Sequence, residues 1–238
     1  MRGARLEHPA VVRLCHWLAA LAVAILTASG LEIFAAFASF GDKMPQRDFF
    51  TPPGAIRLGG WLGGALQWHL TFAWLWLAAG LTYVVYQAAS GNYRQVLFAR
   101  ADLRGVWPMV RHYVLMGPAP PDSGTYNPLQ KLAYTTAIGL GAVLAGSGLA
   151  LHKPVQLSWL IPMFGGFRPT RICHFTAMCG LLAFIPGHLV MVMLHGWRNF
   201  ASMWTGSKGD DHTARRSRQG NAAGKVRRGV ETPSRAPR

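Results

Sequence analysis

Charge is scarce in this chain and unevenly placed. Only 14% of its 238 residues are Asp, Glu, Lys or Arg, against about 25% in soluble globular domains. None of these four types occurs from Leu14 to Leu31, Leu58 to Tyr93, Leu132 to His152, or Ile172 to Trp197. Each run reaches or approaches the roughly 20 apolar residues that a helix needs to cross a bilayer. Buried helices of soluble proteins normally keep a polar face, and these runs have none. The expected fold class is an all-α membrane protein, a four-transmembrane-helix bundle over residues 1–204, with helices at about 10–35, 64–89, 130–152 and 171–197.

Cysteine is also sparse. Cys15, Cys173 and Cys179 form no CxxC or CxxCH pattern, which argues against a disulfide framework and a covalently attached c-type haem. They read as small apolar helix packers. No nucleophile arrangement, phosphate loop or metal-activated water pattern is present, so no catalytic residue is assigned. The internal repeats common in transporters are missing too. A short basic stretch precedes the first apolar run, as in a signal peptide. The run is long for an h-region, however, and no A-x-A site follows, so a retained helix is expected.

Much of the formal charge of +15 sits in the Arg- and Lys-rich stretch after Trp197. Residues 205–238 are nearly devoid of apolar side chains and are expected to form a basic disordered tail. Its expected partner is the anionic inner face of a lipid bilayer, not nucleic acid. Counting no further into that tail than Lys208, ten Lys and Arg flank one side of the four runs and six the other. The positive-inside rule then puts both termini in the cytoplasm. Between the runs, Ala38–Arg57 reads as irregular. Ala101–Val114 resembles an interfacial amphipathic helix that Pro108 bends or breaks. The apolar stretch Pro154–Pro169 either lies on the membrane surface or receives a partner subunit.

Four histidines fall inside this apolar frame. His174 and His188 lie fourteen residues apart on the fourth run, roughly 21 Å along a helix and within about 40° of one face. With alternating helix direction, His16 reaches the depth of His188, and His69 that of His174. One histidine pair per leaflet results, with no carboxylate or thiolate among the paired residues. Polar residues at such depth default to a functional reading. Zinc would take four protein ligands, whereas haem iron takes two axial ones. Two bis-histidine haem b groups fit the inventory, with His16/His188 and His69/His174 as iron ligands. Gly30, Gly63, Gly64, Gly139, Gly141, Gly146 and Gly148 would give a macrocycle room, or simply let helices pack. Arg13 and Arg171 are placed to meet propionates, or to snorkel to lipid phosphate. Pro186 should kink the fourth helix next to His188. His195 is an alternative to His188 and a candidate for a quinone site, as are Tyr83, Tyr86 and Arg94. Two other readings stay open: a non-redox membrane scaffold or adaptor, and a proton-coupled transporter using the histidines as a relay.

His8-Pro9 followed by Arg13-Leu14-Cys15-His16-Trp17 resembles the first helix of the bacterial di-haem cytochrome b subunits. These anchor formate dehydrogenase, nickel–iron hydrogenase and thiosulfate reductase in the inner membrane. Gly59-Gly60-Trp61-Leu62-Gly63-Gly64 before Trp68-His69, and Lys153-Pro154-Val155-Gln156-Leu157, are most similar to the thiosulfate-reductase-like branch. The resemblance covers His8 through Trp204. It implies axial ligands at His16, His69, His174 and His188. It further implies a multi-pass subunit of the bacterial cytoplasmic (inner) membrane. That subunit would pass electrons between the quinone pool and a periplasmic oxidoreductase, molybdopterin-dependent or of hydrogenase type.

Overall fold

A computed structural model describes residues 9–36, 51–115, 117–118, 126–194 and 197–206. Among them there are helices and turns and no strand: α1 (Ala10–Ala36), α2 (Leu62–Ala89), α3 (Tyr93–Val96), α4 (Leu103–Leu115), α5 (Pro128–His152), α6 (Leu160–Met163), α7 (Phe167–Leu194) and α8 (Trp197–Thr205). Four of these, α1, α2, α5 and α7, are long and apolar enough to span a membrane. The loop Ala38–Arg57 is described only from Thr51 onward, and the basic tail lies almost wholly outside the described residues.

Val11–Met191 forms one compact unit. Within it α1 and α7 run antiparallel, with His16 opposite His188 and Phe34 stacked on Phe175 at 4.9 Å. Such an aromatic pair adds about 0.5–1.5 kcal/mol beyond its buried area. The apolar run of the first helix ends at Leu31, but α1 continues through Glu32 to Ala36. The Glu32 carboxylate lies 3.1 Å from the Arg57 guanidinium, which offsets its charge at this depth.

Helix α2 begins from a tight glycine turn. Gly59 and Gly60 have φ of +117° and +72°, a region that favours glycine. A Cβ on Gly59 would run into the backbone of Ala65, and one on Gly64 into the Gly59 carbonyl. The turn is tied to α1 by Leu58 N–H donating to the Ala28 carbonyl at 3.0 Å. Gly63 and Gly64 therefore serve the turn and not the space between helices.

Helix α5 starts with a reciprocal cap. Asn127 Oδ1 accepts from Gln130 N–H at 2.8 Å and Gln130 Oε1 from Asn127 N–H at 3.0 Å, with Pro128 at the first helical position. The amphipathic stretch forms α4, which continues through Pro108 without breaking. It packs on α5, with Gly105 against Pro128, and Asp102 pairs with Lys131 at 3.0 Å. Helix α7 starts at Phe167, earlier than the apolar run suggests. Pro169 is tolerated in a first turn, and the buried Thr170 hydroxyl donates to the Gly166 carbonyl at 2.7 Å. Pro186 lies inside α7, which is likewise unbroken. The apolar stretch before α7 contains α6 and glycine turns at Gly165 and Gly166.

The second unit takes in the chain from Val192 onward. There α8 closes at Gly206, whose φ is +82° and whose N–H donates to the Ser202 carbonyl at 2.8 Å.

Candidate functional site

Each of the four histidines lies six or seven residues in from a helix end: His16 on α1, His69 on α2, and His174 and His188 at the two ends of α7. At about 1.5 Å per residue that is roughly 10 Å inside each end. The side chains meet in two pairs. His16 and His188 have ring centres 6.1 Å apart with planes at 56°. His69 and His174 have ring centres 6.4 Å apart with planes at 63°. Among the described residues no three His, Cys, Asp or Glu side chains gather at one point.

The His69/His174 pair has an outer layer that sequence reasoning did not identify. Ser29 Oγ lies 3.2 Å from His69 Nδ1, and Ser147 Oγ lies 2.9 Å from His174 Nδ1. Both serines are fully buried. Both donate their hydroxyl proton back along their own helix, Ser29 to the Ile25 carbonyl at 2.7 Å and Ser147 to the Val143 carbonyl at 2.6 Å. The following residue is glycine in each case. A Cβ on Gly30 would sit 3.2 Å from His69 Cε1, and one on Gly148 3.2 Å from His174 Cε1. The available signal was the dipeptide Ser-Gly, repeated on α1 and α5 at the level of these two rings.

The other pair is seated differently. The His188 ring stacks on Phe184 at 5.5 Å and 21°, and Trp17 meets His16 edge-on at 5.3 Å. Among the described residues no hydrogen bond reaches the His188 ring. Arg13 and Arg171 each stand three residues before a histidine, one turn back on the same helix face. The four-residue pattern Arg-apolar-Cys-His occurs twice, as Arg13-Leu14-Cys15-His16 and Arg171-Ile172-Cys173-His174. All three cysteines are free thiols.

Of the remaining candidates, Gly141 faces Trp76 and Gly146 faces Phe164, while Gly139 has nothing within 4 Å. Tyr83 falls fourteen residues after His69 on α2, and its hydroxyl accepts from Gln87 Nε2 at 3.0 Å. Arg94 lies over the ring of its neighbour Tyr93 at 5.7 Å. Among the described residues nothing joins Tyr83, Tyr86 and Arg94 into one site. His195 lies outside the described residues.

The geometry is that of an apolar helical protein offering paired imidazoles at two depths. A family model described as prokaryotic cytochrome b561 matches residues 7–206. A protein of Azospira oryzae named as the protein-methionine-sulfoxide reductase subunit YedZ1 is 38% identical over 79% of this chain and 90% of its own length. A nickel–iron hydrogenase B-type cytochrome subunit of Azotobacter vinelandii is 27% identical over 81% of this chain and 88% of its own. The corresponding subunit of Cupriavidus necator is 24% identical over 81% and 86%. No solved structure matches the chain. With its helices, its histidine pairs and a match over nearly its whole described length, the chain belongs to the prokaryotic cytochrome b561 family, multi-pass membrane electron-transfer subunits that carry haem b.

Proposed function

We propose that this subunit conducts electrons across the bacterial inner membrane through two haem b groups. His16/His188 and His69/His174 are the axial ligands. The observation that carries this reading is the spacing within each pair. An imidazole nitrogen binds a first-row metal ion at about 2.0 Å and lies about 1.1 Å from its ring centre. Two imidazoles on opposite faces of one iron would thus have centres about 6.2 Å apart. The separations of 6.1 and 6.4 Å fit that requirement. The donor set also fits, since two imidazoles fall short of zinc's four ligands but match the two axial ligands of haem iron. Haem so held supplies one-electron transfer and offers no open position to oxygen or substrate.

The chain's own residues do the rest. The apolar helices exclude water from both pairs. Arg13 and Arg171, each one turn toward a helix start from a ligand, are proposed to pair with the propionates. The excess of Lys and Arg supports cytoplasmic termini. One end of the route is a membrane quinone, with His195 as its proposed neighbour. The other end is a periplasmic oxidoreductase of the molybdopterin type. The higher identity to a sulfoxide reductase subunit than to hydrogenase subunits favours a partner reductase, and net flow then runs from quinol to partner.

Haem quantitation and an optical redox titration of the purified subunit test this. Two haems per chain are expected. His69→Ala or His174→Ala should remove one centre, and His16→Ala or His188→Ala the other. A protein with one haem or none, or variants with unchanged spectra, would refute the reading.

A further inference from the structure

We infer that Ser29–Gly30 and Ser147–Gly148 are positioning pairs that fix the ring tautomer and set the redox level of the His69/His174 centre, and of that centre alone. The inference rests on the two-haem reading and adds to it a role for residues that are not themselves ligands.

A serine hydroxyl has one proton to give. In Ser29 and Ser147 that proton goes to the carbonyls of Ile25 and Val143. Toward the histidine the hydroxyl can then only accept, so Nδ1 must carry a hydrogen. With Nδ1 protonated, the lone pair of a neutral imidazole resides on Nε2, the nitrogen left free to bind iron. The glycines make this contact possible. A methyl group at 3.2 Å from either Cε1 would push the ring off the serine by a few tenths of an ångström.

The arrangement occurs twice, on two helices, against the two members of one pair. His188 in the other pair stacks on a phenyl ring instead. An acceptor on Nδ1–H raises the basicity of the ligating nitrogen. A more basic ligand favours ferric over ferrous iron, so the serines lower the potential of the centre they face. Removing one serine should therefore raise it. The loss of one such acceptor changes the reduction equilibrium by about threefold to tenfold. That is about 28 to 59 mV at 59 mV per decade for one electron.

The experiment is a redox titration of the haem-loaded full-length protein and its Ser147→Ala, Ser147→Cys and Ser29→Ala variants, followed optically and by low-temperature EPR. His174→Ala and His16→Ala preparations identify which signal belongs to which centre. Cysteine keeps the side-chain volume but is a weak acceptor, so it separates hydrogen bonding from packing and reads the same quantity if the alanine variant accumulates poorly. Both Ser147 variants should raise one centre's potential and leave the other in place. Ser29→Ala should raise the same centre, and the double alanine variant should multiply the two effects. Unmoved potentials in a two-haem protein overturn this inference and leave the two-haem reading intact. A shift in Ser147→Ala without one in Ser147→Cys, or equal shifts of both centres, overturns it too. A wild-type protein with no haem overturns both.

Discussion

Replacing Gly59 with alanine should damage one histidine pair from a distance, and Gly60→Ala supplies the matched control. Both residues have positive φ, at +117° and +72°. The difference lies in their surroundings. A Cβ on Gly60 meets nothing within 4 Å, whereas one on Gly59 collides with the backbone nitrogen and Cα of Ala65. Gly60→Ala should therefore cost only the left-handed penalty, about 1–2 kcal/mol. Gly59→Ala adds a backbone collision that no side-chain rotation relieves, for a total of about 2–5 kcal/mol. The start of α2 must shift to relieve it. Leu58 N–H is bonded to the Ala28 carbonyl at 3.0 Å, one residue before Ser29, so the shift acts where α1 holds His69. The assay is thermal loss of haem absorbance in detergent, resolved by centre. Gly59→Ala should lower the midpoint about twice as much as Gly60→Ala and release the His69/His174 haem first. Equal effects of the two substitutions, or earlier loss of the His16/His188 centre, would refute the reasoning.

Two further outcomes follow from charge. Glu32 and Arg57 are 3.1 Å apart and only 13% and 27% exposed, so Glu32→Gln or Arg57→Gln alone should cost about 1–3 kcal/mol by stranding the other charge. A double-mutant cycle read by thermal stability should find Glu32→Gln/Arg57→Gln milder than the sum of the singles; additivity would sink the coupling. Asp102 lies outside the membrane spans, and the Ala99 N–H, followed by Lys131, holds its carboxyl below the usual carboxylate range. A depressed carboxyl contributes stability above its unfolded pKa, near 3.9, and loses it as pH falls through the folded value. Amide protection of α4 and the start of α5, corrected for the intrinsic pH dependence of exchange, should fall below about pH 4, and Asp102→Asn should remove that dependence. An unchanged pH profile in the variant would count against the pairing.

The four spans were legible because a bilayer imposes a crude requirement, about 20 apolar residues without charge, and each long helix satisfies it in sequence. Their ends were less legible. Helix α7 begins before Ile172 because a proline and a self-bonded threonine suit a first turn. Pro108 marks a bend or break in sequence, and its helix runs through it without breaking.

The ring pairs were foreseeable for a different reason. Helix α7 carries one histidine for each pair, so their fourteen-residue spacing fixes the depth of both pairs within a single element. Because α1 and α2 enter from opposite sides, one histidine two turns in from each start is enough to meet α7 at those depths. Nothing comparable announces Ser29 and Ser147. A serine followed by glycine in an apolar helix has an ordinary explanation as a packing surface, and α5, which supplies half of this layer, has no histidine at that level to draw attention to it. Only the meeting of Nδ1 with a hydroxyl already committed to its own helix separates the two readings. Because α7 gives one ligand to each centre, the residues that distinguish one centre from the other are carried by the helices packed against it.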